Sequence, residues 1–280
     1  MSMQTKASFK KEILAFVRTK KLLVLSIVII GMAILSPLMF VGTAALLESM
    51  KPVYDSIGMD ITSMTDLLGG YTVQAGVFTG ITNLAQIGVI VYLLLINSFA
   101  GGEQKKRSVI IPRSSGLRSF SYIFPKFIVF PAAALILAVV GAFSSWGVSV
   151  LTYEINDVSA GGVLLGGVLA GVCLMFYVCA HLTLGTATGK PGMSAAFCIT
   201  AALLLPDIFS FTDPGLVYNP FTLNYLAGNV TQKNAMQNYP PMDILMTVLI
   251  ALAIMVILYF IALFAQNAKK VDNSGNEIRL

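Results

Sequence analysis

The sequence predicts an all-α integral membrane protein with six transmembrane helices, and three observations lead there. First, 56% of the 280 residues are hydrophobic and only 11% charged, against roughly 45–50% apolar and about 25% charged in soluble domains. Second, six apolar runs each reach the ~20 residues needed to cross a hydrocarbon core. Third, positive charge collects in alternate connections, as it does when one side of the membrane retains Lys and Arg. Lipid-exposed backbone must satisfy its own hydrogen bonds, and the runs lack the strict alternation of barrel strands, so helices are expected.

Residues 1–21 precede the first span. Within them Phe9, Ile13, Phe16 and Val17 fall in one helical arc, with Lys10, Lys11 and Arg18 outside it. That pattern suits an amphipathic helix lying in the cytoplasmic interface; a basic tail anchoring the first span fits the same residues. The first span, Leu22 to Leu47, is longer than the ~7–15 apolar residues of a signal-peptide core, so it reads as a retained helix, kinked or interrupted near Pro37.

The remaining spans are Thr79 to Gly101, Phe127 to Tyr153, Ala160 to Ala187, Gly192 to Phe211 and Asp243 to Gln266, the fifth broken in pattern by Pro206 and Asp207. Together residues 22–266 form the transmembrane domain, followed by a cytoplasmic tail at 267–280. Two outer segments, about 48–78 and about 206–242, exceed the length of turns. In the second, Phe221 and Tyr225 sit among apolar neighbours. A re-entrant segment between the fifth and sixth spans and an ordinary loop with an interfacial aromatic belt both fit.

Six spans place both termini on one side. The amino terminus carries Lys6, Lys10, Lys11, Arg18, Lys20 and Lys21, and the second-to-third connection carries Lys105, Lys106, Arg107, Arg113, Arg118 and Lys126. Lys190, Lys269, Lys270 and Arg279 follow the same parity. The opposite connections hold only Lys51 and Lys233 beside nine acids, including Glu48, Asp55, Asp207 and Asp243. Both termini are therefore expected in the cytoplasm of a multi-pass plasma-membrane protein. The net charge of +5 is explained by this orientation, which removes the reason to expect a nucleic-acid partner.

No Walker sequence, dinucleotide fingerprint or metal-binding His/Cys spacing is present, so no nucleotide, metal or other cofactor is expected on this chain. Acids and cations cluster at or beyond the span ends, which argues against an ion-coupled carrier. His181, the single histidine, reads as a neutral imidazole hydrogen-bonded inside the bundle. Gly192-Met193-Ser194 matches only part of an intramembrane serine protease pattern, since Ala195 stands where a glycine is expected and the histidine precedes the serine. Cys173, Cys179 and Cys198 fall in apolar runs and read as small hydrophobes. Gly162, Gly166, Gly167 and Gly171 give overlapping small-xxx-small spacings that let helix backbones approach closely; a helix of the same chain is the expected partner, and a second subunit fits the same spacing.

The most informative stretch is the basic segment at about 102–126, between two spans. Glu103 is followed by Lys105 to Arg107, the apolar Val109 to Ile111, the Pro112 to Ser115 turn, and Lys126 at the opening of the third span. This order, with the six spans, resembles the membrane subunits of ABC exporters of the ABC-2 type. Arg107-Ser108 stands where that family commonly has Gly-Thr.

The resemblance implies that the segment is a coupling helix, with Glu103, Lys105, Lys106, Arg107, Arg113, Ser114 and Arg118 contacting a separate ATPase subunit. It also implies ATP and Mg on that partner, a second permease copy or homologous permease, and outward transport of an amphipathic or hydrophobic compound such as an antimicrobial peptide, drug or lipid. The chain itself would be non-catalytic. A partner-free binding, immunity or channel-like membrane protein, with the basic segment serving only to orient the chain, is the competing expectation; an intramembrane hydrolase using His181 and Ser194 is a third.

Overall fold

The computed structural model describes residues 2–56, 72–103, 116–153, 158–210, 218–232, 238–271 and 277–279. It contains six helices long and apolar enough to cross a membrane. In chain order the elements are α1 (Met3–Arg18), α2 (Lys21–Ser49), α3 (Lys51–Ser56), α4 (Val73–Ile96), a π-turn (Ser98–Gly102), α5 (Ser119–Thr152), α6 (Ala160–Thr188), α7 (Pro191–Ser210), a 3₁₀ turn (Pro220–Thr222), α8 (Leu223–Asn229) and α9 (Pro241–Asn267). A short antiparallel pair, β1 (Lys269–Val271) and β2 (Glu277–Arg279), closes the chain. Sequence pattern gave no sign of this pair.

Local chemistry sets the helix ends. Ser2, Thr72 and Ser159 each accept a backbone N–H through the side chain, capping α1, α4 and α6. Lys20, at φ 57°, breaks α1 from α2. Gly189, left-handed at φ 67°, ends α6, and Pro191 opens α7, the usual stop–start pairing of Gly and Pro. α2 and α7 run without interruption through Pro37 and Pro206, so neither proline breaks its span. The Tyr153 hydroxyl donates to the Pro37 carbonyl at 2.8 Å and ties α2 to the end of α5.

The helices extend beyond the apolar runs that reveal them. α4 begins at Val73 instead of Thr79, and α5 begins at Ser119 instead of Phe127. Hydropathy marks the stretch that sits in lipid, whereas backbone hydrogen bonding continues the helix into polar surroundings. α6 is the axis of the bundle, with 72% of its most apolar stretch buried against 17% in α9. It packs on α5, α9, α4, α7 and α8.

Glycines make that axis possible. A Cβ at Gly167 would lie 2.9 Å from the Ala142 Cβ of α5, one at Gly171 3.0 Å from the Leu135 Cα, and one at Gly166 2.8 Å from the Ala227 carbonyl oxygen of α8. Gly162 is looser, its nearest backbone neighbour being the Val230 carbonyl oxygen at 3.7 Å. Without a water-driven hydrophobic effect between helices, such close van der Waals approach is a main source of cohesion.

α8 lies against the first halves of α4 and α6, and the 3₁₀ turn before it reaches the middle of α6. Gly228 meets Phe78 and Thr82 of α4, Ala227 meets Gly166, and Phe221 packs edge-on against Phe176, just past the midpoint of α6. Tyr225 bonds Asp207 at the end of α7, while the Tyr218 backbone N–H donates to Thr247 of α9 at 3.0 Å. The outer segment about 48–78 is described only at its edges, with α3 following α2.

Gly171→Val should destabilise the purified protein by about 1–3 kcal/mol, because the added carbons must displace the α5 backbone. Gly147→Val, whose Cβ meets nothing within 4 Å, should leave thermal unfolding in detergent nearly unchanged.

Candidate functional site

The base of the basic segment is a buried ion cluster. Lys126 lies about two turns inside α5 and is only 2% exposed, and Glu12 of α1 is 1% exposed. The Lys126 Nζ stands 2.7 Å from Glu103 Oε2 and 3.6 Å from Glu12 Oε1. Lys11 Nζ reaches Glu103 Oε1 at 2.6 Å and Glu12 Oε1 at 3.4 Å. The Tyr122 hydroxyl donates to Glu103 Oε2 at 2.9 Å, and Lys126 also donates to the Phe99 carbonyl at 3.0 Å. Charge is therefore buried at the foot of the helical bundle, at the ends of the apolar runs where the sequence places it. It is tolerated because two carboxylates and two ammonium groups neutralise one another.

Aromatic rings enclose the cluster. Phe16, Phe99 and Phe130 pack with ring centroids 4.7–6.1 Å apart, and the Lys126 ammonium sits 4.7 Å from the centre of the Tyr122 ring. α1 consequently turns Thr5, Glu12 and Phe16 towards the protein, while Ile13 and Val17 stay exposed. The arc expected to lie in the interface is split between a protein contact and an outward edge. The Thr5 and Ser121 hydroxyls, 3.0 Å apart, fix the other end of α1 on α5.

Glu103 follows the π-turn Ser98–Gly102, in which Ala100 and Gly101 leave helical geometry. Gly101, at φ 130°, needs to be glycine, and its backbone rests directly on the backbone of Gly185 in α6. Lys21 of α2 bonds Ser98 in the same turn. Burial would raise the Glu103 carboxyl, but the Lys126 and Lys11 ammonium groups outweigh it and hold it down at about 2. Of the coupling residues named from sequence, Glu103 is in this cluster and Arg118 is exposed at the N-cap of α5. Lys105, Lys106, Arg107, Arg113 and Ser114 lie outside the described residues. Glu12, Lys11 and Tyr122 were not among the coupling residues named from sequence; a lone acid on the otherwise basic α1 was the available signal.

His181 and Ser194 do meet. Ser194 Oγ lies 2.8 Å from His181 Nδ1 and also 2.8 Å from the His181 carbonyl oxygen. A carbonyl can only accept, so both contacts are satisfied when the serine donates to the carbonyl and Nδ1–H donates to the serine. In that arrangement the imidazole is a donor to the hydroxyl and does not act as its base. His181 and Ser194 are 0% and 3% exposed, and the pair joins α6 to α7. Among the described residues no cluster of His, Cys, Asp and Glu could hold a metal ion.

Lys126→Met would leave Glu12 and Glu103 buried without the shared ammonium, and should cost about 3–5 kcal/mol of stability. Adding Glu12→Gln and Glu103→Gln should recover most of that loss in thermal unfolding. Because the folded Glu103 pKa is depressed, its stabilising contribution is complete above the ordinary carboxylate value and is lost as pH falls from about 4.5 toward about 2. Unfolding measured across that window should be steeper in the parent than in Glu103→Gln. No family model, curated protein or solved structure matches the chain.

Proposed function

We propose that this chain is the membrane subunit of an ATP-driven exporter of the ABC-2 type, working with separate ATPase subunits in the plasma membrane. The observation that carries the reading is the clamp at the base of the basic segment. Glu103 and Lys126, near its two ends, bind each other at 2.7 Å and share Glu12 and Lys11 of α1. A force applied to the segment between them would therefore move the end of α4, the start of α5 and α1 together. Helices locked at such a junction shift as units, which is the behaviour a coupling element needs.

Orientation with both termini in the cytoplasm places this junction beside the ATPases. α8 and the preceding 3₁₀ turn, set against the first halves of α4 and α6, are then a re-entrant segment entered from outside, with their ends covered by protein as such segments require. ATP and Mg belong to the partner, and a second permease copy or a homologue completes the path. Transport follows if substrate interacts differently with the two states of the bundle. The hydrogen bonding of Ser194 to the His181 carbonyl favours a structural part for that pair over a hydrolytic one.

Purification of the tagged full chain in mild detergent should recover a stoichiometric ATP-binding protein with ATPase activity. Charge reversal at Arg113 and Arg118 should leave insertion intact and reduce substrate-stimulated ATP hydrolysis at least severalfold. Unchanged stimulation in that variant would remove their contact role. Reproducible absence of any ATPase with the folded chain would favour a membrane protein that acts without one.

A further inference from the structure

A second set of residues is left unexplained by the ion cluster. Asn224 of α8 is 1% exposed, and neither its Nδ2 nor its Oδ1 has a hydrogen-bond partner. The same holds for the hydroxyl of Tyr177, a residue 2% exposed, and for the buried Thr82 hydroxyl. Asn224 is carried by a helix only about 10 Å long, and Tyr177 and Thr82 stand on the two long helices beside it. The Cys173 thiol touches the Asn224 backbone, Tyr177 stands one turn further along α6 with its ring 6.5 Å from that of Phe221, and the Thr82 hydroxyl lies over Gly228.

An amide buried without partners is unfavourable, because it has given up its hydrogen bonds to water and gained none. Native structures retain such groups where something else completes their bonding. Here the apolar side is ready-made. Phe221 stacks on Phe209 at 5.8 Å and meets Phe176 edge-on at 5.4 Å, and Phe209 and Phe221 are only partly buried. No acid or base is among these groups. Asp207, the carboxylate bonded to α8, is exposed and takes the Tyr225 hydroxyl.

We infer that α8 and the facing surfaces of α4 and α6 form a binding site for an uncharged amphipathic compound bearing a neutral amide, with Asn224 as the specificity-determining residue. A carboxamide side chain offers donor and acceptor side by side, which an amide of the ligand answers reciprocally. Tyr177 and Thr82 supply two further hydroxyls, and Phe176, Phe209 and Phe221 receive the apolar part. Entry requires α8 to move away from α4 and α6, since the polar atoms are closed over in this state. The inference deepens the export reading by naming a substrate class and rests on it for its physiological meaning, whereas occupancy of the site can be measured without any ATPase.

The test uses the full chain in lipid nanodiscs with the neutral photoprobe N-acetyl-4-benzoylphenylalaninamide. Labelling should concentrate around Phe221 to Tyr225 and Phe176 to Tyr177, saturate, and be displaced by N-acetylphenylalaninamide but not by the free amino acid phenylalanine. Asn224→Leu should weaken labelling about tenfold or more while raising the unfolding temperature, because it removes an unpaired amide; Asn224→Gln should retain part of the labelling. Labels spread along the lipid-facing side of α9, labelling indifferent to Asn224→Leu, or a lowered unfolding temperature in that variant would each overturn the site. Saturable labelling in a chain that never associates with an ATPase would overturn the export reading and leave the site standing.

Discussion

An ammonium group inside an apolar bundle must be neutralised where it stands, and much of the basal architecture follows from how Lys126 meets that constraint. One carboxylate comes from the chain leaving α4 and the other from α1, so two segments far apart in sequence are drawn to the same point on α5. The Tyr122 hydroxyl donates to Glu103 and the Phe99 carbonyl accepts from Lys126, whereas the buried Glu12 Oε2 has no hydrogen-bond partner. Removing any one charge leaves another exposed to a low dielectric, which makes the group behave as a unit. The π-turn before Glu103 is the local distortion that brings its carboxylate round to Lys126.

The bundle above this junction is organised by a different rule. α6 presents Gly166, Gly167 and Gly171 to α8 and α5, and at these three positions the neighbouring segments come close. Polar side chains then fasten particular pairs, as when Thr183 donates to the Leu258 carbonyl of α9 at 3.0 Å. Dispersion at glycine contacts and a few directed hydrogen bonds thus replace the water-driven core of a soluble domain. This explains how α9 can remain so exposed and still have a fixed place.

The number and approximate position of the spans were legible because ~20-residue apolar runs respond to one physical quantity, the thickness of hydrocarbon. Helix ends were not, since the turns at Val73 and Ser119 are set by hydrogen bonding beyond the apolar stretch. Pro37 and Pro206 suggested breaks, yet both helices continue through them. Glu103 and Lys126 were recognisable from the charge pattern around the second connection. Glu12 was hidden among the lysines of α1, because burial of a single acid depends on a partner more than a hundred residues away. Asn224 carried no sequence signal either; an asparagine in a Pro- and aromatic-rich stretch looks like any loop residue until both its amide atoms are found enclosed.

Where the π-turn crosses α6, Gly101 and Gly185 touch backbone to backbone. At Gly166 and Gly171 a glycine of α6 meets the backbone of a residue that carries a side chain. At this crossing neither residue carries one. With no side chain between them, the two backbones set the spacing themselves, so the height of the foot of α4 above α6 is fixed by peptide groups and any Cβ at Gly101 or Gly185 would lift it.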